Sequence, residues 1–331
     1  MTEKPGVAIV GCGLIGEKRA SHLGAGQLVA CADTNQERSL ALAHRTGARP
    51  TTDWREIISA QDVDIVVVCT TNDMLAHISR ESVLAGKHVL VEKPAARNLK
   101  ELEPLIEAAD QSGCAVRVGF NHRYHPSFRK AREIYESEVM GRMMFIRGRY
   151  GHGGRVGYEK EWRADPQISG GGELLDQGVH LIDLSRWFLG DFEKIHGQLD
   201  TCFWEMAVED NAFMTLRTNE NTTAFLHVTW TEWKNLFCME IYGTDAKLQI
   251  DGLGGSYGTE SLTYYKMLPE MGPPEVESWQ YTGSDISWEI EFQDFLEDIR
   301  LGRAPSPGLE DAAATLRVVD EVYGQNPRFS Y

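Results

Sequence analysis

The sequence predicts an α/β protein: a doubly wound domain built on a parallel sheet, followed by an α+β domain built on an antiparallel one. Three observations predict it. Over the first 120 residues, short apolar runs alternate with helix-like segments. Several of those runs are nearly continuous in Val and Ile, as suits strands covered on both faces. Beyond residue 121 the alternation stops and strand candidates follow one another without intervening helices. The division is expected at 1–121 and 122–331, with room for the C-terminal helix to pack back on the first domain.

In the first part the predicted strands are "GVAIVG" (6–11), "QLVACAD" (27–33), "VDIVVVCT" (63–70), "KHVLVE" (87–92) and "CAVRVGF" (114–120). Helices are expected from near Ile15, from near Gln36, over Leu75–Ala85 and over Leu99–Gln111. In the second part a helix over Ser127–Tyr135 precedes the strand-like "RMMFIRGRYG". Strands follow at "FEKIHGQLDTCF", "DNAFMTLRTN", "TTAFLHVTWTEW", "FCMEIYG" and "KLQIDG", with a hairpin turn at 218–222. Two helix-like stretches close the chain. "GLGGSYG" and "PEMGPPE" read as surface loops.

Composition narrows the function classes. The chain has 331 residues, 42% of them apolar and 25% charged, an ordinary globular balance. A formal net charge of −16 argues against nucleic acid or an anionic membrane as partner. The start of the chain enters a strand with no secretion signal, and the six cysteines form no C-x-x-C pair. Free thiols in a reducing cytoplasm are therefore expected.

"GCGLIG" (11–16) follows the first strand and opens the first helix. In that context Gly11 permits a tight turn, Gly13 lets backbone approach a pyrophosphate, and Gly16 lets helix and strand pack closely. The helix amino end then faces the phosphates. Asp33 ends the second strand, where a carboxylate accepts hydrogen bonds from ribose hydroxyls and repels a 2′-phosphate. That favours NAD over NADP, with Arg38 as the dissenting residue. Thr70, Thr71 and Asn72 follow the central strand, in a loop that passes close to the cofactor in this fold.

"LLDQGVHLIDLSRW" (174–187) sets Asp176, His180 and Asp183 on one helix stripe within an apolar segment. The residues alone leave three readings open: an internally bonded polar seam, a metal site, or an acid/base pair.

"VEKPAA" (91–96) makes a family recognisable. The chain resembles, over essentially its whole length, the glucose–fructose oxidoreductase / inositol dehydrogenase / rhizopine-catabolism family. The resemblance rests on "GCGLIG" with Asp33, "EKP" (92–94), "GFNHRYHP" (119–126) and "SGGGELLDQGVHLIDLSRWFLG" (169–190). It implies a Rossmann domain followed by an α+β domain with a large, mostly antiparallel open sheet that commonly pairs in dimers or tetramers. It implies Lys93, Asp176 and His180 as the catalytic set, with a cis bond before Pro94. Histidine suits removal of the alcohol proton near neutral pH. An ammonium beside the same oxygen stabilises alkoxide charge, and Asp176 fixes the imidazole or holds a neighbouring hydroxyl. Glycines 170–172 are expected to let the helix start close to the nicotinamide. No metal is expected, and Asp183 is expected to bond backbone or Arg186.

The remaining cofactor contacts expected on this basis are Cys12, Leu14, Ile15, Thr34, His77, Glu92, Lys93, Asn121, Trp162 and Arg163. The loop at 149–163, rich in Arg, His, Tyr and Gly, is expected to line a polyol cleft. Arg123, Tyr124, His152, Tyr158, Trp162 and Arg163 join Lys93, Asp176 and His180 as substrate contacts, with Trp162 or Tyr158 stacking on a sugar face. The function expected is NAD-dependent oxidation of a ring hydroxyl of a sugar, sugar derivative or cyclitol. The alternatives are a glycoside hydrolase that uses NAD transiently and a non-catalytic nucleotide sensor.

Overall fold

The computed structural model describes residues 4–329. They fall into two compact units, one holding the chain up to Phe120 with Trp288–Ala313, the other Asn121–Ser287 with the chain from Ala314. The segment 288–313 thus clusters with the first unit, beyond the simple division at residue 121.

The first unit runs β1 (Gly6–Val10), α1 (Leu14–Ala20), β2 (Gln27–Ala32), α2 (Gln36–Thr46), β3 (Arg49–Thr51), α3 (Trp54–Ser59), β4 (Ile65–Val68), α4 (Asn72–Leu84), β5 (His88–Val91), α5 (Leu99–Ser112) and β6 (Val116–Val118). The six strands are parallel, in the order β3-β2-β1-β4-β5-β6. Ile65, Val66, Val67 and Val68 are all fully buried, because helices cover both faces of the sheet. Val7, Ile9, Ile65, Val67 and Leu90 pack with Phe292 and Phe295 in one core. Side chains of Asn35, Asp53 and Asn98 cap α2, α3 and α5. The strand order turns back between β1 and β4, so the loops after these two strands flank the switch point where such sheets bind ligands.

β3 and α3 were not expected. β3 is three residues long, contains Pro50 and pairs only with β2, so it has no apolar run to reveal it. An edge is where a sheet tolerates proline.

The second unit contains α6 (Pro126–Glu136), β7 (Met143–Gly151), α7 (Pro166–Ser169), a π-helical turn over Leu174–Gly178, α8 (Val179–Leu189), β8 (Phe192–Asp200), β9 (Asn211–Thr218), β10 (Thr223–Thr229), β11 (Leu236–Gly243), β12 (Ala246–Asp251), β13 (Glu260–Lys266) and β14 (Glu275–Tyr281). Its eight strands lie in the order β14-β13-β12-β11-β7-β10-β9-β8. Only the β7–β10 pair is parallel. Buried residues alternate with exposed ones along β9 and with half-buried ones along β12, the mark of a sheet covered on one face. α8 packs across β7 and β10, and Gly148 leaves room there for Leu181. The closing helices are α9 (Ser287–Leu301) and α10 (Leu309–Gln325). No helix among the described residues is long and apolar enough to cross a membrane.

Candidate active site

In the first unit, Gly11 has φ +95°, and a Cβ there would stand 2.4 Å from the carbonyl oxygen of Cys69. A Cβ on Gly16 would stand 1.9 Å from the carbonyl oxygen of Gly11. These two glycines are demanded by the turn itself. Gly13 is different: nothing in the protein lies within 4 Å of the place its Cβ would take. The open space at Gly13, beside an α1 amino end that no side chain caps, fits a pyrophosphate brought against the backbone. Leu14 is 82% exposed at this edge.

Asp33 is already oriented by its own chain. Its Oδ2 accepts from the Cys12 backbone N–H at 2.8 Å and its Oδ1 from Asn35 N–H at 2.8 Å. The carboxylate therefore ties the glycine loop to the turn after β2. Thr34 and Arg38 are exposed beside it. After β4, the Thr71 hydroxyl donates to Asp73 at 2.6 Å, and Asn72 opens α4. His77, further along α4, is exposed and meets Trp54 edge-on.

Glu92 has another partner than the one expected. It is buried, and Arg19 Nε donates to its Oε1 at 2.7 Å. Arg19 also binds the buried Glu291. Burial pushes the Glu291 carboxyl above its ordinary range, and the Arg19 charge pulls it back. A buried guanidinium needs such acids, so Glu92 braces the base of the cradle. Lys93, half-buried beyond β5, precedes Pro94 through a cis bond.

In the second unit the expected polar stripe spans a change of helix type. Its first turn is π-helical and the rest α-helical. Such π turns occur often at functional sites. Each of its three polar residues meets a different neighbour. Asp176, half-buried, accepts from Arg163 Nε at 3.1 Å. His180 is buried with its ring stacked on His122, centroids 3.6 Å apart and planes within 11°. Asp183 is buried under Arg123, which donates from Nε at 2.8 Å and from its terminal nitrogen at 2.5 Å.

This last pair bears on two expectations. Arg186, the expected partner of Asp183, donates from Nε to Asp191 at 2.8 Å. Arg123, expected at the substrate, is buried in a two-pronged ion pair inside the unit. A forked guanidinium on a carboxylate is a strong, directional match. Tyr158 is buried against Trp204 and Trp230, so its ring faces are taken. Asn121, expected at the cofactor, is buried with its amide bonded to Ser287 and His122. Tyr124 is buried too.

Arg163 lies over the Trp162 ring at 4.5 Å. His152 accepts the Gly154 N–H on Nδ1 at 2.9 Å. Burial lowers its pKa below the ordinary value, against the pull of Asp176. Among the described residues, no group of three or more His, Cys, Asp or Glu side chains is arranged to hold a metal ion.

The glycine run before the π turn has an internal cause. A Cβ on Gly171 would stand 1.9 Å from the Tyr323 hydroxyl, and one on Gly172 2.0 Å from the Glu209 carbonyl oxygen. Glu209 Oε1 accepts from Gly172 N–H at 3.0 Å, Leu174 N–H at 3.1 Å and the Tyr323 hydroxyl at 2.8 Å. The sequence offered no signal for this clamp. It offered one for His122, which stands in "NHRYH", but no direction for its ring.

Two models of one family match the chain. "Oxidoreductase family, NAD-binding Rossmann fold" covers residues 6–120, and "GFO/IDH/MocA C-terminal domain" covers 128–249. Levoglucosan dehydrogenase of Pseudarthrobacter phenanthrenivorans is 31% identical over 56% of this chain and 49% of its own, so the chain matches about half of that relative's length. Inositol 2-dehydrogenase of Salmonella paratyphi B is 24% identical over 92% of this chain and 88% of its own. A solved levoglucosan dehydrogenase, in complex with NADH and levoglucosan, superposes with a TM-score of 0.87 at 22% identity, covering 97% of this chain and 98% of that one. At that identity the likeness shows the fold. With both domain models matched in sequence order, the chain belongs to the GFO/IDH/MocA family of NAD-binding oxidoreductases.

Proposed function

We propose that this chain is an NAD-dependent dehydrogenase that oxidises a ring hydroxyl of a sugar, sugar derivative or cyclitol. The observation that carries the reading is the Asp176–His180 pair: a half-buried carboxylate one turn from a buried imidazole, on a π turn held in place by Glu209. Relatives named for levoglucosan and inositol support the substrate class.

NAD, held by Gly11–Gly16, Asp33 and Thr70–Asn72, supplies the hydride acceptor when bound. His180 takes the hydroxyl proton, and Lys93 stabilises the negative charge that develops on that oxygen. Asp176, steadied by Arg163, accepts a hydrogen bond from a neighbouring hydroxyl. Trp162, Arg163 and His152 remain as further substrate contacts, whereas the partners of Arg123, Tyr158 and Asn121 give those three structural work.

We place the enzyme in the cytoplasm as a homodimer or homotetramer paired through the outer face of the eight-stranded sheet. That face carries stacked Phe145–Tyr242 and Phe213–His227 pairs and a 53%-exposed Phe225. The test of function is a screen of free sugars, inositols and sugar phosphates read by NADH absorbance. Lys93→Ala and His180→Ala are expected to lower turnover by at least ~100-fold while NADH fluorescence titrations stay near wild type. Activity confined to nitrophenyl glycosides, with no net NADH, would replace this reading with the hydrolase.

A further inference from the structure

A chain of hydrogen bonds in the second unit passes under His180, and its direction is set at the Asp285 end. At one end Asp285 accepts the Ser287 hydroxyl at 2.6 Å. Ser287 Oγ in turn accepts from Asn121 Nδ2 at 3.0 Å. That turns Asn121 Oδ1 towards His122 Nδ1, 3.2 Å away, so the proton of His122 sits on Nδ1. At the other end the amide of Gln177 donates to the Tyr257 hydroxyl at 3.0 Å. Tyr257 is hydrogen-bonded to Tyr150, whose hydroxyl lies 3.2 Å from His122 Nε2. Burial pushes the Tyr150 hydroxyl well above its ordinary pKa, so it keeps its proton, and Nε2 is one of the two acceptors within its reach.

With Tyr150 as donor to Nε2, the chain runs one way, from Tyr150 through His122, Asn121 and Ser287 to Asp285. A proton on Nε2 of His122 would meet the Tyr150 donor head-on. Relief requires the Tyr150 hydroxyl to turn to Tyr257, which already accepts the Gln177 N–H. The other groups facing His122 are the edge-on ring of His125, itself bonded to Glu260 at 2.9 Å, and Phe237. Glu173 and Asp176 act on the tyrosine pair.

We propose that His122 is a positioning residue for His180: a neutral imidazole, locked by this chain, that fixes the plane of the His180 ring and keeps positive charge off its face. The inference rests on His180 being the proton acceptor. Without the stack, the buried ring loses the flat contact that sets the angle proton transfer requires. With a charged neighbour in the stack, the proton transferred to His180 would meet like charge.

The test uses the holoenzyme and three variants. His122→Ala is expected to lower kcat at least ~10-fold, with substrate KM and NADH affinity within about twofold, as for lost orientation. His122→Phe keeps a flat ring in the stack and is expected to recover kcat to within about threefold. It also serves as the working variant if the alanine protein fails to fold. In 15N spectra of the labelled holoenzyme, His122 is expected to stay neutral with its proton on Nδ1 from about pH 5.5 to 8, across the ordinary histidine range. His180→Ala separates the two claims. If it retains turnover, the parent reading falls. If it is inactive while His122→Ala matches wild type, or if His122 titrates near an ordinary histidine pKa, only this inference falls.

Discussion

Replacing Glu209 by glutamine should change how the stability of the second unit depends on pH. The carboxyl is fully buried at the entry to the π turn. Three donors meet Oε1, while Oε2 is buried without a hydrogen-bond partner. Burial pushes its pKa from the ordinary 4.5 up to about 7, and the hydrogen bonds from Tyr323, Leu174 and Gly172 hold back part of that rise. Below pH 4.5 the folded and unfolded chains both carry the proton, and no difference arises. Between 4.5 and 7 the unfolded chain releases it while the folded one keeps it, so the fold loses ground as pH rises. Above 7 the loss is complete. A displacement of that size corresponds to about 3 kcal/mol. Glutamine does not titrate, so Glu209→Gln should gain about 3 kcal/mol on wild type between pH 4.5 and 8. The buried amide shifts the whole curve by about 1–3 kcal/mol without tilting it. Denaturant unfolding of both proteins across that range, followed by the fluorescence of Trp204 and Trp230, measures the difference. Parallel curves would mean that Glu209 titrates at its ordinary pH in the fold, and would refute the reasoning.

Other substitutions separate ligand contacts from scaffold. Asp33→Ala should weaken NAD use about tenfold or more and narrow the gap to NADP, since bonds to a charged group are worth about 1.5–3 kcal/mol; the ratio of kcat/KM for the two cofactors measures it, and a wild type that prefers NADP would move the role to Thr34 and Arg38. Gly13→Ala should leave thermal stability nearly unchanged but weaken NAD binding, because its methyl enters open space; Gly172→Ala should lower stability by more than about 2 kcal/mol, because its methyl strikes the Glu209 carbonyl. Arg123→Ala should cost about 3–5 kcal/mol of stability by taking the two-pronged guanidinium from the buried Asp183, and denaturation will read this where substrate KM will not.

Much of the fold was legible because it is written in short windows. The Val and Ile runs of β1, β4 and β5 announce buried parallel strands, and "GCGLIG" between a strand and a helix announces a phosphate cradle. The same locality explains what was missed. β3 has three residues and a proline, and "GLGGSYG", read as a surface loop, carries Tyr257 into the hydrogen-bond chain below His180. Its backbone is indeed a loop, but its tyrosine is half-buried against Tyr150.

The sequence by itself determined which polar residue types were present and on which elements most of them stood. Only the tertiary structure decided which of them are spent on one another. Arg123 and Asp183 are 60 residues apart in the chain, and Glu209 and Tyr323 are 114 apart. A polar side chain looks the same in sequence whether it faces a substrate or a buried partner. Its role is set by whether water or protein surrounds it, because a buried charge is tolerated only when a partner arrives from elsewhere in the chain.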